Sequence, residues 1–581
     1  MFASLLIANR GEIALRVART ARRMGLRTVG VYSDADRDAP HVRAADAAVH
    51  IGGSAPRESY LNIDAILEAQ ADAVHPGYGF LAENPEFAER VLQSGRIWVG
   101  PPPAAMRAMG DKANAKKLAA AAGVPVLPSY HGKPEFPLLI KALAGGGGRG
   151  MRLVRSANEL DAALASAKSE AEHAFGDGRV LLERALLSPR HVEVQVFADA
   201  RGNCIHLGER DCSVQRRHQK LIEESPSPAV DDKLRRKLGA AAVAVARAAG
   251  YVGAGTVEFL LDDQGGFWFI EVNARLQVEH PVTEMLTGLD LVEWQLRVAA
   301  GEPLPLKQEQ VRFDGHAIEA RLCAEDPAKD FLPQAGRLAL WRPAAGVRVE
   351  HALESGIEIP PLYDSMLAKL IAHGRSRDEA REKLAAALDA TVALGLPTNK
   401  TFLAAALRDP VFAAGGATTS FIAERLCGWA PPKMDESLAR RLYAAACANA
   451  AGYGEWNGWS NMAHDPAPVA PFALEGATLH FALDGHAHAW RDTTMDPPAK
   501  RAAGFDGNGL AAPMNGRVVA IHAKAGDAVA QGGALVVLEA MKMEHTLCAP
   551  AALRVKAVHV AKGAQVAPGK LLMEFEPGGT S

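Results

Sequence analysis

Three observations predict an α/β protein that ends in a small β-sandwich. The opening segment alternates short apolar strands with amphipathic helices. The middle carries a glycine run and then paired carboxylates on strand-like segments, and the C-terminal part repeats itself. Together they predict an N-terminal open parallel-sheet domain, a mixed α/β middle and C-terminal part, a linking α+β domain (a helix plus a β-barrel-like set of strands) and a β-sandwich.

The first strand covers residues 5–8, followed by a turn at Gly11 and a helix over 12–24 with Ile13, Val17 and Ala21 on one face. Residues 27–32 give a second strand. Residues 71–74 give another, running into the glycine-rich turn His75-Pro76-Gly77-Tyr78-Gly79-Phe80. Strands alternating with helices describe an open sheet whose ligands sit at the strand ends. Many nucleotide-binding proteins open this way, so this part alone names no chemistry.

Residues 138–141 form a strand ending in Lys141, and a glycine run follows over 145–150. Such a run lets backbone N–H groups fold over phosphates while a nearby ammonium neutralises their charge. The plain alternative is a flexible loop. Glu258 lies on a strand over 256–261 and Glu271 on one over 267–272, joined as a hairpin through 262–266. Alternation from Glu271 puts Asn273, Arg275 and Gln277 on one face, with Glu279 continuing along it. Two carboxylates and an amide oxygen are hard donors suited to Mg²⁺ on nucleotide phosphates. The plain alternative here is a polar sheet edge balanced by ion pairs.

Residues 512–539 align without a gap on 549–576: His522 matches His559, Gly526 matches Gly563, Val529 matches Val566 and Gly532 matches Gly569. Alternating apolar residues and matched glycines predict two similar sets of short strands closed into a sandwich. Between the halves lies Glu539-Ala540-Met541-Lys542-Met543-Glu544-His545, which places Lys542 on the connecting turn. Two methionines beside it exceed what packing needs at an exposed turn, and Lys542 resembles a biotin attachment site.

Charge is nearly balanced, 64 basic against 67 acidic residues, so no nucleic-acid or membrane-surface partner is expected. The six cysteines show neither a CxxC pair nor metal-like spacing, and a reducing compartment fits them. The N-terminus enters its first strand at once and no apolar run is long enough to span a bilayer, so a cytoplasmic protein is expected.

The segments IANRGEIALR, HPGYGFLAEN, MGDKANAKK, LLERALLSPRHVEVQ, ERDCSVQRRHQK and ARLCAEDP resemble the biotin carboxylase family, with an ATP-grasp middle, over residues 2–427. With the Lys542 repeat on the same chain, the order resembles the α subunits of biotin-dependent acyl-CoA carboxylases. The resemblance implies a biotin carboxylase N-terminal domain at 1–110, an ATP-grasp domain at 111–312 and a carboxylase C-terminal domain at 313–428. A linker or subunit-docking domain at 429–508 and a biotinyl carrier at 509–578 would follow. It implies ATP or phosphate contacts from Lys112, Lys141, Gly146, Gly147, Gly148, His191, His218, Gln219 and Lys220, and an adenine hinge at Glu183 and Leu186. Glu258, Glu271 and Asn273 would hold Mg²⁺ (or Mn²⁺). Arg275, Gln277 and Val278 match the bicarbonate site, Glu279 the base that deprotonates bicarbonate, and Arg321 the group that stabilises the biotin enolate. Lys220 and Arg275 join Glu279 and Arg321 in the catalytic set. YDSMLAKLI (363–371) and GLPTNKTFL (395–403) are expected to complete the site.

The implied enzyme is a ligase that uses ATP and bicarbonate, through carboxyphosphate, to carboxylate biotin on Lys542. The implied partners are a carboxyltransferase β subunit and a biotin protein ligase. The wording APMNG and AMKMEH leans toward 3-methylcrotonyl-CoA or geranyl-CoA as the acceptor. A propionyl-CoA or acetyl-CoA carboxylase α subunit and a split pyruvate carboxylase are alternatives. A lipoyl-type carrier or another ATP-grasp ligase is the alternative from a different class. The chain is shorter than the family pattern between Gln70 and Ala71, after Gly132, and near Met462 and Thr493. Arg184 stands for the family's usual lysine, and Leu553 for the glycine expected opposite Gly516.

Overall fold

The structure, a computed structural model, describes residues 1–130, 132–143, 151–175, 177–448, 453–455, 470–493, 509–540 and 543–576. A five-stranded parallel sheet opens the chain, ordered Ala47–His50, Arg27–Tyr32, Ser4–Ile7, Ala73–His75, Ile97–Trp98. Helix Gly11–Arg23 buries Ile13, Val17 and Ala21 in a core shared with Leu5 and Ile7, as their helical spacing predicts. The strand expected at 71–74 lies at Ala73–His75.

An eight-stranded antiparallel sheet dominates the molecule. Its order is Phe267–Asn273, Gly253–Leu261, Arg190–Ala198, Cys204–Arg216, Gln219–Ser225, His316–Cys323, Met366–Gly374, Arg348–His351. The sheet runs without a break across residue 312, because Ile222 faces Ala320 and Glu223 faces Glu319 in the ladder. A separate three-stranded sheet, Arg152–Val154, Leu138–Ala142, Val180–Arg184, packs with helix Ala157–Phe175 around Leu138, Ile140, Val154 and Ala167. The glycine run, with Gly146, Gly147 and Gly148, lies outside the described residues.

In the linking region, helix Glu436–Ala448 packs on a four-stranded sheet around Leu442, Phe472, Leu479 and Phe481. The C-terminal part is a sandwich of two four-stranded sheets with its own core of Leu535, Leu538, Val555, Leu572 and Phe575. Its halves mirror each other bond by bond. Gly526 N donates to Val555 O as Gly563 N donates to Val518 O, and Gly532 N donates to Ala549 O as Gly569 N donates to Ala512 O. The repeat read from the sequence is therefore a structural two-fold. Strands Ala534–Ala540 and Met543–Cys548 pair antiparallel with Ala540 opposite Met543, while Met541 and Lys542 lie outside the described residues. No helix among the described residues is long and apolar enough to cross a membrane.

Candidate active site

A cavity of about 1620 Å³ lies between the five-stranded, three-stranded and eight-stranded sheets. Every described member of the predicted set lines it except Glu279, which is fully buried. Gly253–Leu261 pairs with Phe267–Asn273 as the expected hairpin, and a register shift between Glu258 and Phe259 brings Glu258 opposite Glu271, where an unbroken ladder would have put it opposite Ile270. The strand stops at Asn273. Arg275, Gln277 and Val278 follow on a loop, and Glu279 is the N-cap residue of helix His280–Thr287. The strand face expected to run from Glu271 to Glu279 therefore does not exist. Ala274 N donates to Glu83 Oε1 at 3.0 Å rather than to a ladder partner, and Pro281 suits the first turn of the helix that follows.

The centre of the site is one ammonium among three carboxylates. Lys220 Nζ donates to Glu258 Oε1 at 2.8 Å, to Glu279 Oε1 at 2.7 Å and to Glu193. Burial works against the lysine's charge, but Glu193, Glu258 and Glu279 outweigh it and hold Lys220 well above the ordinary range. Burial likewise opposes ionisation of Glu279, yet Lys220 and Arg321 hold its carboxyl well below the usual carboxylate range. Glu193 was not singled out from the sequence. It stands two residues from His191 on one strand, a spacing that puts both on the same face. Buried Arg210 fixes it, donating Nε to Glu193 and Nη1 to Gln195 Oε1 and Thr283 Oγ1, both at 2.9 Å.

Arg321 Nη2 donates to Glu279 Oε2 at 2.9 Å, and its Nε is held by Glu223. The strand beneath it is clamped by fully buried Asn399, whose Nδ2 donates to Arg321 O at 3.0 Å and whose Oδ1 accepts from Cys323 N at 2.8 Å. Asn399 belongs to GLPTNKTFL, so that segment does reach the site. From YDSMLAKLI comes Lys369, which donates to Val278 O at 2.8 Å and pairs with Glu12 at 3.0 Å. Arg275 turns to Glu83 Oε2 (3.0 Å), Gln277 Oε1 (2.9 Å) and Asn273 Oδ1 (3.2 Å).

At the other end, Glu183 is buried between Lys141, at 2.6 Å, and Lys116. Lys116 lies in MGDKANAKK on a helix face with Lys112, one turn on, and the sequence reading passed over it. Burial and the charges of His191, Lys141 and Lys112 hold His218 below the ordinary imidazole range. This end of the cavity therefore offers positive charge to phosphates.

The donor set fits a divalent cation. Burial, with like-charge repulsion from Glu258 and Glu83, raises the Glu271 carboxyl, and a cation beside it would relieve both effects. Two other groups, half-buried His191 with Glu193 and Glu258, and buried Glu193 with Cys212 and Glu279, bring ligand atoms within 4.8 Å of one another. Lys220 supplies a cation between the carboxylates of both groups and reaches Glu258 as well, whereas Glu271 lies outside its reach.

Family models match in chain order: "Biotin carboxylase, N-terminal domain" over 1–106, "Carbamoyl-phosphate synthase L chain, ATP binding domain" over 111–307, "Biotin carboxylase C-terminal domain" over 319–424 and "Biotin-requiring enzyme" over 508–575. These define an ATP-dependent biotin carboxylase with an attached carrier. The mitochondrial methylcrotonoyl-CoA carboxylase subunit alpha of Mus musculus is 42% identical, over 94% of this chain and 89% of the relative. The propionyl-CoA carboxylase alpha chain of Ruegeria pomeroyi is 48% identical, over 77% of this chain and 72% of its own. The biotin carboxylase of Campylobacter jejuni, solved with a β,γ-ATP ligand, superposes with a TM-score of 0.71 at 46% identity, covering 73% of this chain and 99% of that one. The chain belongs to the α subunits of biotin-dependent acyl-CoA carboxylases. The mouse alignment spans 640 positions against 581 residues here, so the relative carries segments this chain lacks.

Proposed function

We propose that this chain carboxylates biotin on its own Lys542 from MgATP and bicarbonate and delivers it to a carboxyltransferase β subunit that acts on 3-methylcrotonyl-CoA. The division of the Glu279 carboxylate between Lys220 and Arg321 carries the proposal. Incoming phosphate and bicarbonate anions compete for those two cations, and as they let go Glu279 recovers the basicity to take the bicarbonate proton. Bicarbonate oxygen then attacks the γ-phosphorus, the β–γ P–O bond breaks and ADP leaves. Lys112, Lys141, His218, Gln219 and Lys220 face the phosphates, and Arg275 with Gln277 holds bicarbonate in line. Glu258, Glu271 and Asn273 would hold Mg²⁺, which would neutralise negative charge on the nucleotide phosphates. The carboxyphosphate so formed would split into CO₂ and phosphate; biotin would supply the ureido nitrogen that bonds CO₂, the phosphate would take that nitrogen's proton, and Arg321 would stabilise charge on the ureido oxygen.

The relatives' names favour methylcrotonyl-CoA, and the propionyl-CoA carboxylase alpha chain supports the runner-up acceptor. Modification of Lys542 by a biotin protein ligase, residence in the cytoplasm and domain limits near 110, 312, 428 and 508 belong to the same proposal. The test is bicarbonate-dependent ATP cleavage stimulated by free biotin. Glu279→Gln and Arg321→Ala should each lower biotin carboxylation by about 10² or more. Wild-type rates in both variants would sink the assignment. Intact mass should show one biotin adduct, lost in Lys542→Ala, and copurification of the partner with an acyl-CoA screen decides the acceptor.

A further inference from the structure

We infer that the carrier docks on the carboxylase at a seat built from two interlocked turns, residues 216–219 and 330–332, which receives the strand Met543–Cys548. The inference rests on reading the chain as a carboxylase that charges its own carrier. The two turns share an unusual backbone. Arg217 and His218 in the first, and Asp330 and Phe331 in the second, have φ of 47°, 65°, 53° and 57°. Residues other than glycine keep that conformation only where their surroundings hold it.

Here the turns hold each other. Arg216 Nη2 donates to the Asp330 carbonyl oxygen at 2.7 Å and also reaches its carboxylate, and Arg217 Nη2 donates to Asp330 Oδ2 at 2.7 Å. The Arg216 guanidinium lies 4.4 Å from the centre of the Phe331 ring.

The carrier closes over this knot. Leu332, the next residue, packs against the carrier's own core, the cluster of Leu535, Leu538 and Leu572. On the carrier side His545 is only 9% exposed, and its Nε2 is buried without a hydrogen-bond partner among the described residues. Burial holds the imidazole down at about 4, and the charges acting on it, Arg217, Arg216 and Asp330, all belong to the carboxylase. A neutral ring enters without adding a third positive charge beside the two arginines.

The position of the seat gives it a role. The first turn carries His218 and Gln219 and leads straight into Lys220, and all three face the cavity. On the carrier, His545 follows Lys542 on the strand that leaves the biotin-bearing segment. Docking thus brings the biotin-bearing hairpin to the turn that carries the phosphate-facing groups.

Free biotin needs no docking, which separates the seat from the chemistry. In full-length protein with biotinylation verified by mass, Leu332→Glu places a charge against the carrier core, and His545→Lys adds one beside Arg216 and Arg217. Each should slow transfer of radiolabelled bicarbonate carbon to the tethered biotin by about tenfold while leaving carboxylation of free biotin within about twofold. Unchanged tethered rates in both variants would overturn the seat. Equal loss on tethered and free biotin would overturn it too, by showing that the turns act through the active site. A wild-type protein that carboxylates neither form would refute the enzymatic reading itself.

Discussion

Glu223 shows how much a single buried residue decides. It holds Arg321 by Nε and stands opposite Glu319 on the next strand; both are fully buried, and neither Glu319 oxygen has a hydrogen bond among the described residues. Burial pushes the Glu223 carboxyl up to about 7, with Glu279 adding to the rise against the pull of Arg321 and Lys220. A carboxyl raised in the fold favours the protonated form. Its contribution to stability is complete below the ordinary value of 4.5 and is lost as pH rises through about 7. The ionised form, however, is the one that grips Arg321. Carboxylation of free biotin should therefore fall below about pH 7, while the urea midpoint drifts downward between about pH 4.5 and 7, and Glu223→Gln should flatten both profiles. A variant that keeps both slopes would show that another group sets them. The sequence marks Arg321 through ARLCAEDP, but nothing local marks Glu223, because its partner is 98 residues away.

At the scale of elements, local periodicity was a good guide wherever the backbone stayed regular. The hairpin that carries Glu258 and Glu271 follows from a period of two on each side of a short turn, and the helix after Gly11 from a period near 3.6, but the direct pairing of the two carboxylates depends on a register shift beside Glu258 that no period shows. The guide failed after Asn273, where the backbone leaves the ladder for Glu83 and Glu279 becomes the N-cap residue of helix His280–Thr287. Asn399 acts between elements: it ties the start of helix Lys400–Arg408 to the strand that carries Arg321. Asn399→Ala should leave bicarbonate-dependent ATP cleavage nearly intact and lower biotin carboxylation by roughly tenfold, since a slight misplacement of a reacting group is that costly. Equal loss of both activities would point instead to a general loss of structure. In the carrier, Gly526 and Gly563 take φ of 93° and 88° at equivalent turns, with open space where a Cβ would stand. Gly563→Ala should thus act by backbone strain alone, at about 1 kcal/mol, lowering the carrier's Tm by roughly 4–8 °C in calorimetry.

For the whole molecule, the eight-stranded sheet binds residues on both sides of 312 into one antiparallel ladder, whereas the carrier sandwich keeps a core of its own. Thermal unfolding should show the carboxylase part melting as one unit and the carrier as another. MgADP at about 100 times its Kd should raise only the first, by about 2.7 kcal/mol. Separate transitions for 111–312 and 313–428 would contradict the shared sheet.

What the sequence determined by itself were the features written in short range: the strand–helix alternation, the carboxylate hairpin, the two-fold repeat and the motifs that carry the family. Tertiary structure alone decided how Lys220 comes to sit among Glu193, Glu258 and Glu279, what holds Arg321, and that the two carboxylase segments form one sheet. The reason is physical. A period or a motif depends on neighbours along the chain, but the charge state of a buried lysine depends on carboxylates that only a closed sheet brings within 3 Å.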